Sequence, residues 1–259
     1  MADARCPGTD IDGKARSGGA AAPCHEEAMD MQGTDWRTAA AELDEQGWTR
    51  LPRILGAEAC RQAAALWRNE DRFRSRVVMA RHGFGRGEYR YFGYPLPHPA
   101  ASLRAALYPP LAEVANRWRS ALGRADLYPC AHEDYLDRCS AAGQSRPTPL
   151  LLRYGPGDYN CLHQDLYGAE SFPLQVAILL SRPGEDFTGG EFLLAEQRPR
   201  RQSRGTVVPL EQGDAVAFAV SERPMLGSRG FYRTRMKHGV STIRSGERFT
   251  LGIIFHDAI

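Results

Sequence analysis

Residues 149–168 read PLLLRYGPGDYNCLHQDLYG, with two short runs on either side of a Gly-Pro-Gly turn. Short apolar runs bounded by turn residues are typical of β-strands. His163 and Asp165 stand two residues apart, so on a strand both side chains point to the same face. If that face lies inside a closed β-structure, burying both groups is costly unless a metal ion binds them. A His-x-Asp tripeptide also occurs in ordinary surface loops, so the surrounding sequence has to distinguish the two interpretations.

The rest of this half of the chain predicts more strands of the same kind. Each is bounded by Gly, Pro, Asp or Ser. The predicted strands are PLLLRY, YNCLH, FPLQVAILLS, GEFLLAE, GTVVPL, DAVAFAV, HGVSTI and FTLGIIFH. Eight short strands at this spacing predict a mainly β fold with some α: a double-stranded β-helix, or jelly roll, with helices from the N-terminal half packed on one sheet.

The chain before this core has a different character. Residues 1–34 are small and polar without a sustained period, which predicts a disordered tail. Residues 35–148 predict a mainly helical part with an aromatic hairpin, and residues 149–259 the jelly-roll core that carries the site. We expect both parts to form one domain over residues 35–259.

Two segments raise particular expectations. The stretch ASLRAALYPPLAEVANRWRSALG predicts one or two helices interrupted at Pro109-Pro110, because proline lacks a backbone N–H. Residues 221–236 read as an inserted loop just before His238 that could cover the mouth of the barrel.

Composition excludes several classes of protein. The fractions of 42% hydrophobic and 25% charged residues are those of an ordinary globular protein. A net charge of +2 does not by itself indicate a polyanionic partner. No apolar run approaches the ~18 residues of a membrane span, and the N-terminus lacks the apolar segment of a signal peptide. We therefore expect a cytoplasmic protein with no membrane partner, and the sequence does not predict its oligomeric state.

His238 is the candidate for a third metal ligand. It begins the predicted strand HGVSTI, late in the barrel, where it could return beside the strand of His163. Two histidines and one carboxylate on one face of a metal make the facial triad of non-haem Fe(II) oxygenases, which leaves coordination positions open. The chain has other histidines, so the motif alone is weak.

Arg248 strengthens the metal hypothesis. It stands ten residues after His238 at the start of the last predicted strand, and an inward arginine in a barrel needs an anion. Its guanidinium suits a carboxylate. Thr250 faces the same side and adds a hydroxyl, and Tyr154 can add a second. Together these residues predict a receptor for a dicarboxylate whose other end chelates the metal.

With these motifs in place, the sequence resembles the Fe(II)/2-oxoglutarate-dependent dioxygenases, in particular their prolyl-hydroxylase-like and AlkB-type members. The resemblance covers about residues 149–257. The motifs that carry it, in the family's order, are RYGPGDYNCLHQD, FTGGEFLL, GDAVAF and KHGVSTIRSGERFTL. Within this group of enzymes, the whole chain, including GRGEYRYFGYPLP, is similar to a bacterial family described as oxygenases for damaged DNA.

The resemblance implies an oxidoreductase that uses Fe(II), 2-oxoglutarate and O2, with ascorbate as a helpful addition in vitro. It would hydroxylate a substrate C–H while 2-oxoglutarate loses CO2 to become succinate. The implied iron ligands, which are also the catalytic residues, are His163, Asp165 and His238. The implied 2-oxoglutarate-binding residues are Arg248, Thr250 and Tyr154.

The substrate stays open at this point. The finer resemblance implies oxidative demethylation of an alkylated nucleobase, yet AlkB-type enzymes carry a second arginine where this chain has Ile254. A biosynthetic hydroxylase of a small molecule or amino acid is the alternative. The candidate substrate-binding residues are Tyr89, Tyr91, Tyr94, Tyr167, Arg233 and Arg235.

Two further hypotheses are a binding protein with the same fold and a zinc hydrolase. If the protein only bound ligands without catalysis, we would expect the metal triad to be incomplete or the arginine to be missing. In this sequence the triad and Arg248 are both present. A zinc hydrolase would also use two histidines and an acid, but it explains neither Arg248 nor Tyr154.

Overall fold

The computed structural model describes residues 33–165 and 168–259, so most of the predicted tail, residues 1–32, lies outside the described residues. The helices are α1 (Trp36–Gln46), α2 (Ala57–Ala65), α3 (His98–Ala121) and α4 (His132–Ala141). The strands are β1 (Trp48–Leu51), β2 (Phe73–Val78), β3 (Gly85–Arg86), β4 (Glu88–Phe92), β5 (Leu150–Tyr154), β6 (Tyr159–His163), β7 (Leu174–Leu179), β8 (Phe187–Gly189), β9 (Phe192–Gln197), β10 (Arg204–Val208), β11 (Ala215–Ala219), β12 (Glu222–Gly227), β13 (Gly230–Val240), β14 (Ile243–Gly246) and β15 (Arg248–Ile253).

Two antiparallel sheets form the barrel. The larger has seven strands in the order β1-β11-β7-β15-β5-β4-β2. The smaller has the order β10-β9-β13-β6-β3, with β12 added to β13, and β14 pairs separately with β8. A cavity lies between the two sheets, because residues of β5 and β15 line it together with residues of β6 and β13. The predicted jelly roll is confirmed.

The helices cover the outer face of the seven-stranded sheet. α1 contacts β1 and β11, while α2 and α3 contact β15. Every residue of β7 and of β11 is buried, as expected for strands covered on both faces, whereas β9 alternates between buried and half-buried residues. The helices therefore pack mainly on the seven-stranded sheet, as expected, although α1 and α3 also contact β12 of the other sheet.

The prediction of a break at Pro109-Pro110 is wrong. α3 runs without interruption through both prolines for 24 residues. A proline inside a helix costs about 3 kcal/mol or more. Burial of one leucine side chain contributes about 1.5–3 kcal/mol, and Leu103, Leu107 and Leu111 of this helix are all fully buried. Packing of the apolar face therefore outweighs the two missing hydrogen bonds.

The predicted loop before His238 is a β-hairpin. β12 and β13 pair from Glu222 with Arg235 to Gly227 with Gly230. His238 consequently lies near the end of an 11-residue strand rather than at the start of one, and the predicted strand HGVSTI is divided between β13 and β14. Arginines on the exposed face of β13 concealed the strand pattern, because they resemble a solvated loop.

No helix among the described residues is long and apolar enough to cross a membrane.

Candidate metal and dicarboxylate site

Two neighbouring strands bring the predicted metal ligands together. His163 ends β6 and lies directly opposite His238 in the antiparallel pairing of β6 with β13. Asp165 follows two residues later, and each of its carboxylate oxygens lies 3.4 Å from the Nε2 atom of one histidine. One ligand atom from each residue falls within 4.8 Å of the others. Since metal–ligand bonds are about 2.0–2.2 Å for nitrogen and oxygen, this spacing suits three ligands on one ion.

The surroundings of Asp165 and His238 suit a cation. Burial alone would lower the pKa of His163, but hydrogen bonding to Asp165 raises it. Burial opposes ionisation of Asp165, but hydrogen bonding to His163 and His238 holds its pKa well below the usual range. Burial lowers the pKa of His238 and so favours the neutral imidazole that a metal requires. The Nδ1 atom of His163 lies 2.8 Å from the Cys161 carbonyl oxygen, which leaves Nε2 directed at Asp165. In the described part of the chain this is the one group of three or more such residues.

Arg248 is a buried cation with no carboxylate within ion-pair distance among the described residues, although the charge of Glu191 acts on it from further away. It is 2% exposed. Its Nη1 atom donates to the Thr250 hydroxyl at 2.6 Å, while its Nε atom has no hydrogen-bond partner. Burial lowers the pKa of Arg248 to about 10. An anion that enters the barrel would satisfy both the charge and the free donor.

Tyr154 lies next to this arginine. The pairing of β5 with β15 places Tyr154 directly opposite Arg248. Its hydroxyl is buried beside the Asn160 side chain without a hydrogen bond of good geometry, and burial raises its pKa. A neutral phenol with a free O–H is a second donor for the same anion.

One cavity of about 290 Å³ joins the three-residue cluster to Arg248. Its walls are mostly apolar, with few polar groups, as is typical of sites for small organic ligands. The lining residues not yet placed include Phe84, Tyr89, Tyr91, Leu152, Gln175, Val176, Phe192, Phe218 and Ile254. A molecule with a carboxylate at Arg248 could therefore reach the cluster with its other end.

The predicted substrate-binding tyrosines do not all lie at the cavity. Tyr89 and Tyr91 line the cavity. Tyr94 does not: its hydroxyl donates to Asp257 at 2.9 Å and accepts from Arg104 at 3.0 Å. These bonds tie Tyr94 to the C-terminal segment, away from the cavity. Tyr167 lies outside the described residues.

The two predicted arginines also differ. Arg233 is exposed, lines neither this cavity nor its neighbour, and faces Glu222 at 3.7 Å. Arg235 lines a second, larger cavity that adjoins the first. A role for Arg233 in binding substrate therefore has no support from its position.

Several cavity residues were not predicted as site residues, and Asn160 shows why. It precedes His163 by three residues, so strict alternation would place the two on opposite faces of β6. The pairing of β13 with β6 shifts register between His238 and Val240, which adds a residue on β6 and turns Asn160 into the cavity. Phe218 also lines the cavity, and it lies on a strand whose residues are all buried, so no alternation along that strand distinguished it.

Residues 87–258 match the model of a protein family described as an oxygenase catalysing oxidative methylation of damaged DNA. An uncharacterised protein of Mycobacterium tuberculosis H37Rv is 45% identical over 231 residues, which cover 82% of this chain and 99% of that protein. The same values hold for an uncharacterised protein of strain CDC 1551.

Solved structures share the fold at low sequence identity. One is an oxidoreductase of the 2OG-Fe(II) oxygenase family from Burkholderia pseudomallei, with a TM-score of 0.51, 19% identity, and coverage of 87% of this chain and 94% of that one. Another is a prolyl hydroxylase from Trichoplax adhaerens in complex with a fragment of hypoxia inducible factor, with a TM-score of 0.50, 14% identity, and coverage of 86% and 89%.

Proposed function

This chain belongs to that family of oxygenases, and we propose that it is an Fe(II)- and 2-oxoglutarate-dependent dioxygenase that hydroxylates a substrate C–H bond. His163, Asp165 and His238 would hold the iron. Arg248 and Thr250 would bind the far carboxylate of 2-oxoglutarate, with Tyr154 as an additional donor. Its location in the cytoplasm is part of the same proposal.

The observation that carries this proposal is the pair of unsatisfied groups at one end of the cavity. The Nε atom of Arg248 and the hydroxyl of Tyr154 are buried without a hydrogen-bond acceptor, and a His-Asp-His cluster lies at the other end. A buried unpaired charge is expensive in a protein that never binds an anion there. A metal-only site, as in a zinc hydrolase, would leave that cost unexplained.

When bound, the iron and 2-oxoglutarate supply the oxidation: O2 is consumed, 2-oxoglutarate yields succinate and CO2, and one oxygen atom becomes the hydroxyl of the product. The protein supplies orientation. The Cys161 carbonyl fixes the ring of His163, and Phe218 packs 4.6 Å from the ring of His238. The apolar walls keep bulk water away from the reacting atoms, which limits side reactions.

The family description names damaged DNA, and within it we propose an alkylated nucleobase as the substrate. Hydroxylation of an N-methyl group gives a product that releases formaldehyde and the free amine, so the activity to test is demethylation. Tyr89 and Tyr91 at the cavity could stack on a flat base. A small-molecule hydroxylase remains the second candidate, since Ile254 lines the cavity where AlkB-type enzymes are expected to carry an arginine.

Succinate formation tests the proposal. Full-length protein loaded with Fe(II) is supplied with 2-oxoglutarate, O2 and ascorbate, with and without a methylated single-stranded oligonucleotide. We expect succinate from the wild type and from His98→Ala, whose exposed histidine lies outside the cavity. We expect His163→Ala to be at least about 100-fold slower, because loss of a ligand exceeds the ~10–100-fold effect of losing an outer-shell partner.

The effect of the oligonucleotide on turnover distinguishes the two candidate substrate classes. Stimulated turnover with release of formaldehyde would support the demethylase. Turnover that the oligonucleotide leaves unchanged would direct the search to small molecules. Absence of succinate from every sample would refute the proposed function.

A further inference from the structure

A second cavity of about 520 Å³ adjoins the candidate metal site. Gln164 and Asp165 line both cavities, so a molecule in the second one lies next to a predicted iron ligand. Three arginines from separate parts of the chain line its wall: Arg119 near the end of α3, Arg124 in the loop that follows, and Arg235 on β13. We call it the arginine cavity.

The charges on its wall do not cancel. Two carboxylates line it in the described residues, Asp165 and Glu222. Asp165 is engaged by His163 and His238, and Glu222 faces Arg233, which lies outside the cavity. Arg119 pairs with Asp126, so Arg124 and Arg235 are the wall arginines that have no carboxylate partner among the described residues, and their charge attracts anions.

Arg119 is held in place and still has free donors. Its Nη2 atom donates to Asp126 at 2.7 Å, and its guanidinium carbon lies 4.4 Å from the ring centre of Tyr128. Its Nε and Nη1 atoms have no hydrogen-bond partner, and the side chain is only 12% exposed. A guanidinium that is already oriented loses little conformational freedom when it binds an anion.

The remaining wall is partly polar, with Gln164, Ser171 and Ser221, and partly apolar. Trp118, Leu122 and Phe172 line the apolar part together with Pro173 and Val220. A simple inorganic anion would leave this surface without a partner, whereas an organic molecule with an apolar body and one anionic group would contact both parts.

We propose that the arginine cavity binds the anionic group, carboxylate or phosphate, of the oxygenase's organic substrate and so positions the substrate's apolar part toward the metal site. The inference rests on the proposed function. The same chemistry has two sources, a small organic anion or a backbone phosphate of a nucleic acid strand.

Binding measured without turnover tests the subsite. The full-length protein is loaded with Fe(II) in the absence of O2 and saturated with 2-oxoglutarate, so that Arg248 is already occupied. Phenyl phosphate, phenylacetate and a short single-stranded oligonucleotide are then titrated by calorimetry. The variants are Arg119→Gln and Arg235→Gln. Arg235 is exposed, so its replacement does not disturb the core. Arg233→Gln is the matched control, because it removes the same charge from the same strand outside the cavity.

We expect saturable binding of at least one probe, weakened about tenfold or more by Arg119→Gln and by Arg235→Gln and less than twofold by Arg233→Gln. Binding of phenyl phosphate or phenylacetate identifies a small anion as the source, and binding of the oligonucleotide alone identifies nucleic acid. Absence of saturable binding, or equal weakening by all three variants, would overturn the proposal. Succinate formation by the same preparation under O2 distinguishes failure of the subsite proposal from failure of the proposed function. Succinate without probe binding refutes only the subsite. Probe binding without succinate refutes only the dioxygenase activity.

Discussion

At the scale of single residues, the burial of the Arg248 charge costs free energy in the ligand-free protein, and binding of a dicarboxylate would compensate for that cost. Burial lowers its pKa to about 10, which at neutral pH corresponds to a cost on the order of 3 kcal/mol relative to an arginine in water. A single hydrogen bond to Thr250 does not offset that cost. The residue is therefore expected to destabilise the ligand-free protein and to stabilise the complex with a dicarboxylate.

Arg248→Met should accordingly separate stability from function. We expect the free energy of unfolding of the ligand-free protein to rise by about 1–3 kcal/mol, because a buried charge is replaced by an apolar chain of similar length. We expect the apparent KM for 2-oxoglutarate to rise at least about tenfold, through loss of a charged hydrogen bond. Urea unfolding and succinate kinetics measure the two effects. Arg244→Met on exposed β14 is the control and should change neither; a less stable Arg248→Met with unchanged KM would contradict this account.

At the scale of elements, β13 positions the metal site by its close approach to β6. Gly239 follows His238 at the register shift between the two strands. A Cβ atom at this glycine would lie 2.7 Å from the Asn160 carbonyl oxygen, which is backbone and cannot move aside cheaply. The absence of a side chain at one position therefore allows two histidines on different strands to face each other.

Gly239→Ala should weaken metal binding without removing a ligand. The added methyl group must push β13 away from β6 and so separate His238 from His163. We expect the Kd for Mn(II), used as a redox-stable probe, to rise about 10–100-fold, comparable to loss of an outer-shell partner. Gly205→Ala on β10, where the space around a Cβ is open, is the control. Unchanged Mn(II) affinity in Gly239→Ala would show that the strands tolerate the methyl group.

At the scale of the whole molecule, a buried polar cluster joins the helices to the C-terminal segment. Arg104 of α3 donates to Asp257 at 2.7 Å and to the Ile254 and Phe255 carbonyl oxygens. His132 of α4 donates to the Phe255 carbonyl oxygen at 2.8 Å, and His256 is fully buried and accepts from the Phe172 N–H.

The two histidines of this cluster should make the fold sensitive to acid. Burial, with Arg104 nearby, lowers the pKa of His132 and of His256 to about 4. Because the unfolded chain binds protons near pH 6.5, stability is complete above that pH and is lost as pH falls toward 4. We expect each histidine to account for about 2 kcal/mol of lost stability between pH 7.5 and pH 5.

Urea unfolding at several pH values measures this loss. His256→Asn should flatten the dependence of the unfolding free energy on pH in the acid range, whatever its effect at pH 7.5. His98→Ala, which removes an exposed histidine, should leave the slope unchanged. Equal slopes in all three proteins would exclude His256 as a source of the acid sensitivity.

The sequence by itself determined the class of fold and the chemistry of the site. Alternation and turn residues are local signals, and they identified most strands of the jelly roll from PLLLRY onward. The spacing of two residues from Arg248 to Thr250 also indicates a shared face of β15 without any knowledge of partners, whereas Asp165 lies two residues beyond the end of β6 at His163. The identity of the metal ligands and of the 2-oxoglutarate receptor remains a prediction, now supported by geometry.

Only the tertiary structure decided which distant residues meet. It paired His163 with His238, turned Asn160 inward through a register shift, and directed Tyr94 to Asp257 instead of the cavity. It also gathered the three arginines of the arginine cavity from a helix, a loop and a strand. Periodicity along a chain encodes the face on which a residue lies, but contacts between strands and helices far apart in sequence depend on register and packing, which the three-dimensional fold alone sets.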